Sequence, residues 1–324
     1  MSSLDQDADT EAFHAGERAI QTRLGVRERL AALGPRVIRD RMPEQHRQFF
    51  QQLPFLLVGS VDQSGQPWAS VMAAPLGFAN APDSTHLEIR APILAGDPLR
   101  QNLREGAALA VLGLEPHTRR RNRMNGVVEC VDADYFSVAV KQSFGNCPKY
   151  IQAREPIFIE NKKYSAPQIG DAKKLDDSAR NLIAHADTFF IATAHPHSAM
   201  SAEAPAGVDI SHRGGNPGFV RVLADSAQGD VLLAPDYAGN FFFNTLGNIV
   251  LEPRAGLLFI DFENGDLIYL AVTAKIIWEG ELLNQFTGAQ RLLRMTVTRQ
   301  IRLSAALSLR WGAAQRSPFL SAMD

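Results

Sequence analysis

Two stretches of this chain, from Phe55 to Asn125 and from Phe189 to Thr273, run through the same order of elements, so the chain reads as a duplicated domain. In the first, FLLVGSV is followed by a turn at Asp62–Gly65, then PWASVMAAP, STHLEIRAP, GDPLRQNLREG and the apolar run ALAVLGL. In the second, FFIATA leads to EAPAGVDI, GFVRVLADSAQGDVLLAP, GNFFFNTLGNIVLEPRAG and LLFIDF. A short helical stretch precedes each copy, PEQHRQFFQQ and DDSARNLIAHA. Two copies are too few for a solenoid, which needs about three or more units. They fit an intrachain pseudo-dimer instead, and a ligand that would lie between two subunits can then lie between two halves of one chain.

The length of 324 residues agrees with two domains. Hydrophobic residues at 45% and charged ones at 21% are ordinary for a globular body with a real core. A net charge of −2 offers polyanions no general attraction, which argues against a dedicated nucleic-acid binder. No apolar run approaches the roughly 18 residues of a membrane span, and the acidic start MSSLDQDADTEA is unlike a secretory leader. Two cysteines, Cys130 and Cys147, are too few for a disulfide framework, so the expected compartment is the cytoplasm.

Residues 1–12 are expected to lack fixed structure, because they carry several acids and few apolar side chains. A first domain over 13–160 opens with a helix or helix pair through GERAIQTRLGVRERLAALG, with Gly34–Pro35 as its stop, and a short helix over Pro43–Gln52. Strands then run through Val131, after which DADYFSVAVKQSFGNCPKYIQARE reads as irregular or helical. IFIENKKYSAPQIGDAKK reads as the connector, a second domain follows over 176–311, and a loose tail over 312–324. Several short strands with one or two helices per copy point to mainly β domains with flanking helices, two small barrels in tandem, rather than a doubly wound sheet.

Three clusters could carry chemistry. In DISHRGGNPG, read as an exposed loop between two strands, Ser211, His212 and Arg213 with the glycines from Gly214 onward could hold one anion; a solvated hairpin is the alternative. The segment DYAGNFFFNTLGNI opens a helix, and Asn240, Asn244 and Thr245 near its start could favour an anion or a polar ring edge, although Asn240 could equally be a simple cap. In TRRRNRMNG, alternation places Arg119, Arg121 and Arg123 on one strand face and Arg120 with Asn122 on the other. These arginines could face a cofactor, line a solvated face or pair with carboxylates. Cys147 lacks a neighbouring histidine in sequence and reads as a buried, inert thiol. The histidines show no metal-ligand spacing, and no P-loop, dinucleotide fingerprint or hydrolase elbow is present.

The pieces FHAGERAIQTRLGV, TRRRNRMNG, SFGNCPKYIQ, SHRGGNPGFVRV and GNFFFNTLGNI, taken in this order, resemble the tandem members of the pyridoxamine 5′-phosphate oxidase-related family of FMN-binding split-barrel proteins, over Phe13 to Trp311. The resemblance implies six-stranded antiparallel split barrels with FMN where two barrels meet. It places the FMN phosphate on Ser211, Arg213 and His212, beside Gly214, with Asn240, Asn244 and Thr245 close by. It brings Arg121, Asn122, Asn146 and Lys149 of the first copy to the isoalloxazine ring. The oxidase's own substrate segment is matched at Tyr135, Phe136 and Ser143, but Ala139 stands where the family has an arginine, and Lys141 offers at most partial compensation. Losing a bidentate phosphate partner costs about 1.5–3 kcal/mol per charged hydrogen bond, so vitamin B6 oxidation is not expected.

The expectation is therefore an FMN-dependent oxidoreductase fed by NAD(P)H or a separate reductase, with no catalytic residue identified and one flavin per chain, because the phosphate-type cluster occurs only in the second copy. The alternative is a flavin- or haem-binding carrier or sensor without turnover. Exposed barrel edges leave room for a homodimer.

Overall fold

The structure, a computed structural model, describes residues 12–145, 147–159, 169–172, 174–196, 198, 207–223 and 229–323. In chain order its helices are α1 (Ala15–Arg23), α2 (Arg27–Val37), α3 (Glu44–Gln51), α4 (Leu99–Asn102), α5 (Asp177–His185), α6 (Asn244–Leu251) and α7 (Glu281–Asn284). The first-copy strands are β1 (Phe55–Val61), β2 (Pro67–Ala73), β3 (Ala79–Asn80), β4 (His86–Ile89), β5 (Ala108–Glu115), β6 (Arg120–Asp132) and β7 (Tyr135–Gly145). After β8 (Pro156–Phe158) and β9 (Ile169–Ala172), the second copy supplies β10 (Thr188–Ala194), β11 (Val208–Gly214), β12 (Arg221–Leu223), β13 (Val231–Asp236), β14 (Arg254–Ile260), β15 (Leu267–Ile277) and β16 (Arg291–Leu303), and β17 (Leu309–Trp311) follows.

The duplication is borne out strand for strand. The first sheet runs β2-β1-β5-β6-β7-β4-β3 and the second β11-β10-β14-β15-β16-β13-β12, so each copy repeats the other's order. The path has seven strands per copy because a two- or three-residue strand, β3 or β12, extends one edge of each sheet. Register aligns the copies residue by residue: Leu57 pairs with Val71 and Leu112, and Phe190 pairs with His212 and Leu258. One hydrogen bond confirms that alignment independently. Asn102 Nδ2 donates to Ser60 Oγ at 3.0 Å, and Asn248 Nδ2 donates to Thr193 Oγ1 at 3.1 Å in the other copy.

Each copy has its own core, one around Phe49, Phe50, Leu87 and Val138 and one around Phe189, Leu232, Leu257 and Leu270. A third core lies between the copies, where Leu57, Val71, Leu112, Phe190, Ile210, Leu258 and Tyr269 pack together. Backbones meet there too: a Cβ on Gly256 would stand 2.3 Å from the Pro67 carbonyl oxygen. Apolar alternation on both β1 and β10 serves two cores at once, which is why these strands read as continuous hydrophobic runs.

Three local expectations need correction. YFSVAVKQSFG is strand β7, paired along β6, with Phe136, Val138 and Val140 buried at the two-residue period of a pleat. Pro35 lies inside α2 rather than ending it; in the helix's last turn, chain direction continues to Val37. The segment after Trp311 is held to the body, with Ser317 and Leu320 fully buried and Ala153 bridged to Gln315. Residues 1–11 lie outside those described. No described helix is long and apolar enough to cross a membrane.

Candidate functional site

A cleft opens between the copies, lined from the first by Arg121, Arg123, Cys147, Lys149 and Tyr150 and from the second by residues of β11, the end of β13 and the start of α6. Ser211, His212, Arg213 and Gly214 lie on strand β11 itself, not in a loop; the turn begins only at Gly215. Strand geometry separates them. Ser211 and Arg213 share a face with Asp209, whereas the His212 ring turns toward Phe190 and the interdomain core.

Strand β6 delivers the arginines, as alternation predicted. Arg123 is buried, paired with Asp209, and donates to Ser211 Oγ at 2.7 Å and to Asn244 Oδ1 at 3.1 Å. The Thr245 hydroxyl closes this cluster, 2.9 Å from Ser211 Oγ and 3.0 Å from Asp209 Oδ2. Arg121 donates to the Cys147 and His212 carbonyl oxygens at 2.7 and 3.4 Å and has no carboxylate partner among the described residues. Burial and the adjacent Arg123 push its pKa down to about 10, so it remains cationic at neutral pH. Arg213 pairs with Asp236, whose other oxygen lies 3.1 Å from Arg291 Nε. Burial, then the charges of Arg121, Arg213 and Arg154, hold His212 well below its ordinary value, so its imidazole is neutral.

Four cationic side chains therefore line the cleft, Arg121, Arg123, Lys149 and Arg213, against one lining carboxylate, Asp236. The α6 N-terminus points into the same space. Its N-cap, Phe243, has a left-handed φ of 64° and makes no side-chain cap, so the first-turn N–H groups at Asn244 onward have no capping side chain. Asn240 caps a tighter turn instead, accepting from Phe242 N at 3.1 Å. Phe241 and Tyr150 also have left-handed φ values, both 65°, and such strain in bulky residues is held only where surrounding structure enforces it. Tyr150 is drawn over β11 because Gly214 has no side chain: a Cβ there would stand 2.0 Å from the Tyr150 carbonyl oxygen.

Of the residues singled out in sequence, Ser211, His212, Arg213, Gly214, Asn240, Asn244, Thr245, Arg121 and Lys149 all line this one cleft. Asn122 does not; it alternates to the opposite strand face, and its amide oxygen comes near Gly145. Asn146 lies outside the described residues. Cys147, read as buried and inert, is half-buried and lines the cleft. Sequence reasoning did not select Tyr150, Tyr237, Asp236 or Glu17. Glu17 arrives from α1, which precedes the first copy in sequence yet packs on α6 of the second.

The pseudosymmetric counterpart of this cleft is closed. Register places Tyr269 where the first copy has Arg123, Leu267 at the place of Arg121, and Ser70 at that of Ser211. There Ser70, Tyr269 and the Leu99 N–H all donate to buried Asp97, at 2.6, 2.8 and 2.8 Å. A carboxylate of the chain itself occupies the helix-start position that α6 leaves open.

The cleft tests well against a flavin mononucleotide. Arg123 Nε and Arg213 Nε are buried without a hydrogen-bond partner, so donor capacity is unspent around the open helix end. Tyr150, Tyr237, Phe241 and Phe243 supply aromatic surface along the same cleft.

Residues 42–163 match the family model of pyridoxamine 5′-phosphate oxidase, which bears out the resemblance over the first copy and the segment after it. No curated protein matches the chain. Among solved structures, HupZ of Group A Streptococcus is 16% identical, covering 41% of this chain and 98% of its own, with a TM-score of 0.31. A pyridoxamine 5′-phosphate oxidase homologue from Lactobacillus delbrueckii is 14% identical, covering 40% and 94%, with a TM-score of 0.30. An FMN-binding protein from Syntrophomonas wolfei is 14% identical, covering 43% and 86%, with a TM-score of 0.26. Each spans less than half of this chain, and at such scores none bears on function.

Proposed function

We propose that this chain, whose residues 42–163 match the pyridoxamine 5′-phosphate oxidase family, binds one FMN noncovalently in the interdomain cleft and serves as a flavin-dependent oxidoreductase. The observation that carries this reading is the convergence of Arg121, Arg123 and Arg213, from both copies, on the uncapped start of α6. In this reading Arg213, Ser211 and the first-turn N–H groups of α6 hold the phosphate, Arg121 supplies uncompensated charge, and Tyr150 and Tyr237 flank the ring. A bound flavin supplies hydride or single-electron transfer, with electrons delivered by NAD(P)H or a separate reductase. The chain's own part is to anchor, orient and exclude water; His212, neutral and buried with its ring against Phe190, adds no charge there.

Pyridoxamine phosphate is not the proposed substrate. Ser143, matched to the oxidase's substrate segment, is fully buried and bonded to His46 Nδ1 at 2.9 Å, and Ala139, in the place of the family's arginine, offers no cation. The purified protein is expected to show a flavin absorption spectrum, with FMN identified by mass; a haem spectrum in its place would turn the reading to a carrier. Arg213→Ala is expected to weaken FMN binding roughly tenfold to a hundredfold, the worth of about 1.5–3 kcal/mol for a hydrogen bond to a charged group. Unchanged affinity by titration calorimetry would overturn the phosphate assignment.

A further inference from the structure

The N-terminal segment FHAGERAIQ is built onto the second copy's cleft residue by residue. Phe13 packs edge-on against Phe242 at 5.4 Å, and Gln21 donates to the Phe242 carbonyl oxygen at 3.3 Å. His14 caps α1, accepting from Gly16 N, while Glu17 accepts from His14 N at 2.8 Å. Gly16 and Gly247 let α1 and α6 touch backbone to backbone: a Cβ on Gly16 would stand 2.1 Å from the Gly247 carbonyl oxygen. This approach inserts Glu17, 3% exposed, beside the start of α6, where its carboxylate accepts from Asn244 Nδ2. Asn244 in turn accepts from Arg123 through its other amide atom.

We propose that α1 is a working part of the anion site and that Glu17 is its positioning residue: it fixes the Asn244 amide, which presents its oxygen to Arg123 and so aims that guanidinium across the cleft. The proposal rests on the cleft being an anion site. Asparagine has a donor end and an acceptor end, and only one orientation satisfies both neighbours. Without the carboxyl oxygen the amide loses the partner that selects this orientation.

The same geometry gives Glu17 a dependence on pH. The groups facing it are His14 on its own helix, Asn244 on α6, Asp209 on β11 and Arg123 on β6, with His195 facing His14. Burial, only partly offset by hydrogen bonds from His14 and Asn244, raises its pKa to about 8, so at pH 7 the carboxyl is protonated. Above pH 8 it gains a negative charge inside a site that holds an anion, and the anion's affinity falls.

The test is calorimetric titration of full-length wild type, Glu17→Gln and Glu17→Ala with FMN and, separately, with inorganic phosphate, at pH 7 and pH 9. Wild type is expected to bind both more weakly at pH 9, by up to about tenfold, the limit for one proton released near pH 8, and Glu17→Gln to keep wild-type affinity at pH 7 without the decline. Glu17→Ala is expected to bind more weakly than wild type at pH 7 and, like Glu17→Gln, to lack the decline. A decline in Glu17→Gln equal to that of wild type overturns the proposal, even if Glu17→Ala fails to fold. Phosphate binding without FMN binding defeats the flavin reading alone, with Glu17 then judged on phosphate; a wild type that binds neither overturns both.

Discussion

At the scale of single residues, the two copies handle one problem in opposite ways. In the first, Asp97 occupies the start of α4 and accepts three hydrogen bonds; in the second, no side chain caps the start of α6. Burial outweighs those hydrogen bonds and raises the Asp97 pKa from 3.8 to about 6. Because the folded state then holds a proton that the unfolded chain releases first, stability falls as pH rises from about 4 to 6 and is level above that. The full effect is bounded at about 3 kcal/mol. Thermal melts of wild type and Asp97→Asn across pH 4 to 7 are expected to differ by this slope, present in wild type and absent in the variant. Parallel curves would show that Asp97 is ionised over the whole range. The arginines of β6 were legible in sequence because a strand's two-residue period separates Arg121 and Arg123 from Asn122; which face met the cleft was not, since both faces carry polar groups.

At the scale of elements, the junction of α1 and α6 is the one that brings Glu17 to Asn244. Helices whose backbones touch tolerate no added methyl, and Gly16→Ala is expected to cost about 1–3 kcal/mol, the usual penalty of overpacking. A melting temperature equal to wild type would show that the two helices can separate freely. The short helices α3 and α5 and the paired N-terminal helices were readable from periodicity and breakers. The β11 segment was not. Its glycines, Gly214 and Gly215, suggested a loop, whereas Gly214 is a strand residue that lacks a side chain because the Tyr150 backbone crosses it. Close approach and turn formation leave the same mark in sequence, and only the packing partner tells them apart.

At the scale of the whole molecule, duplication followed by division of labour explains why one cleft is furnished and its counterpart filled. Titration with FMN is therefore expected to saturate at one ligand per chain; two equivalents would require Tyr269 and Asp97 to yield their places. The sequence by itself determined the duplication, the mainly β class and nine of the residues around the cleft, because these depend on local periodicity and on chemistry spaced along the chain. The tertiary structure alone decided that α1 serves the second copy, that Glu17 stands behind Asn244, and that Asp97 with Tyr269 closes the opposite cleft. Glu17 and Asn244 are 227 residues apart, and Asp97 and Tyr269 are 172 apart. Contacts between such distant positions follow from how two sheets pack and twist against each other, which no local pattern encodes.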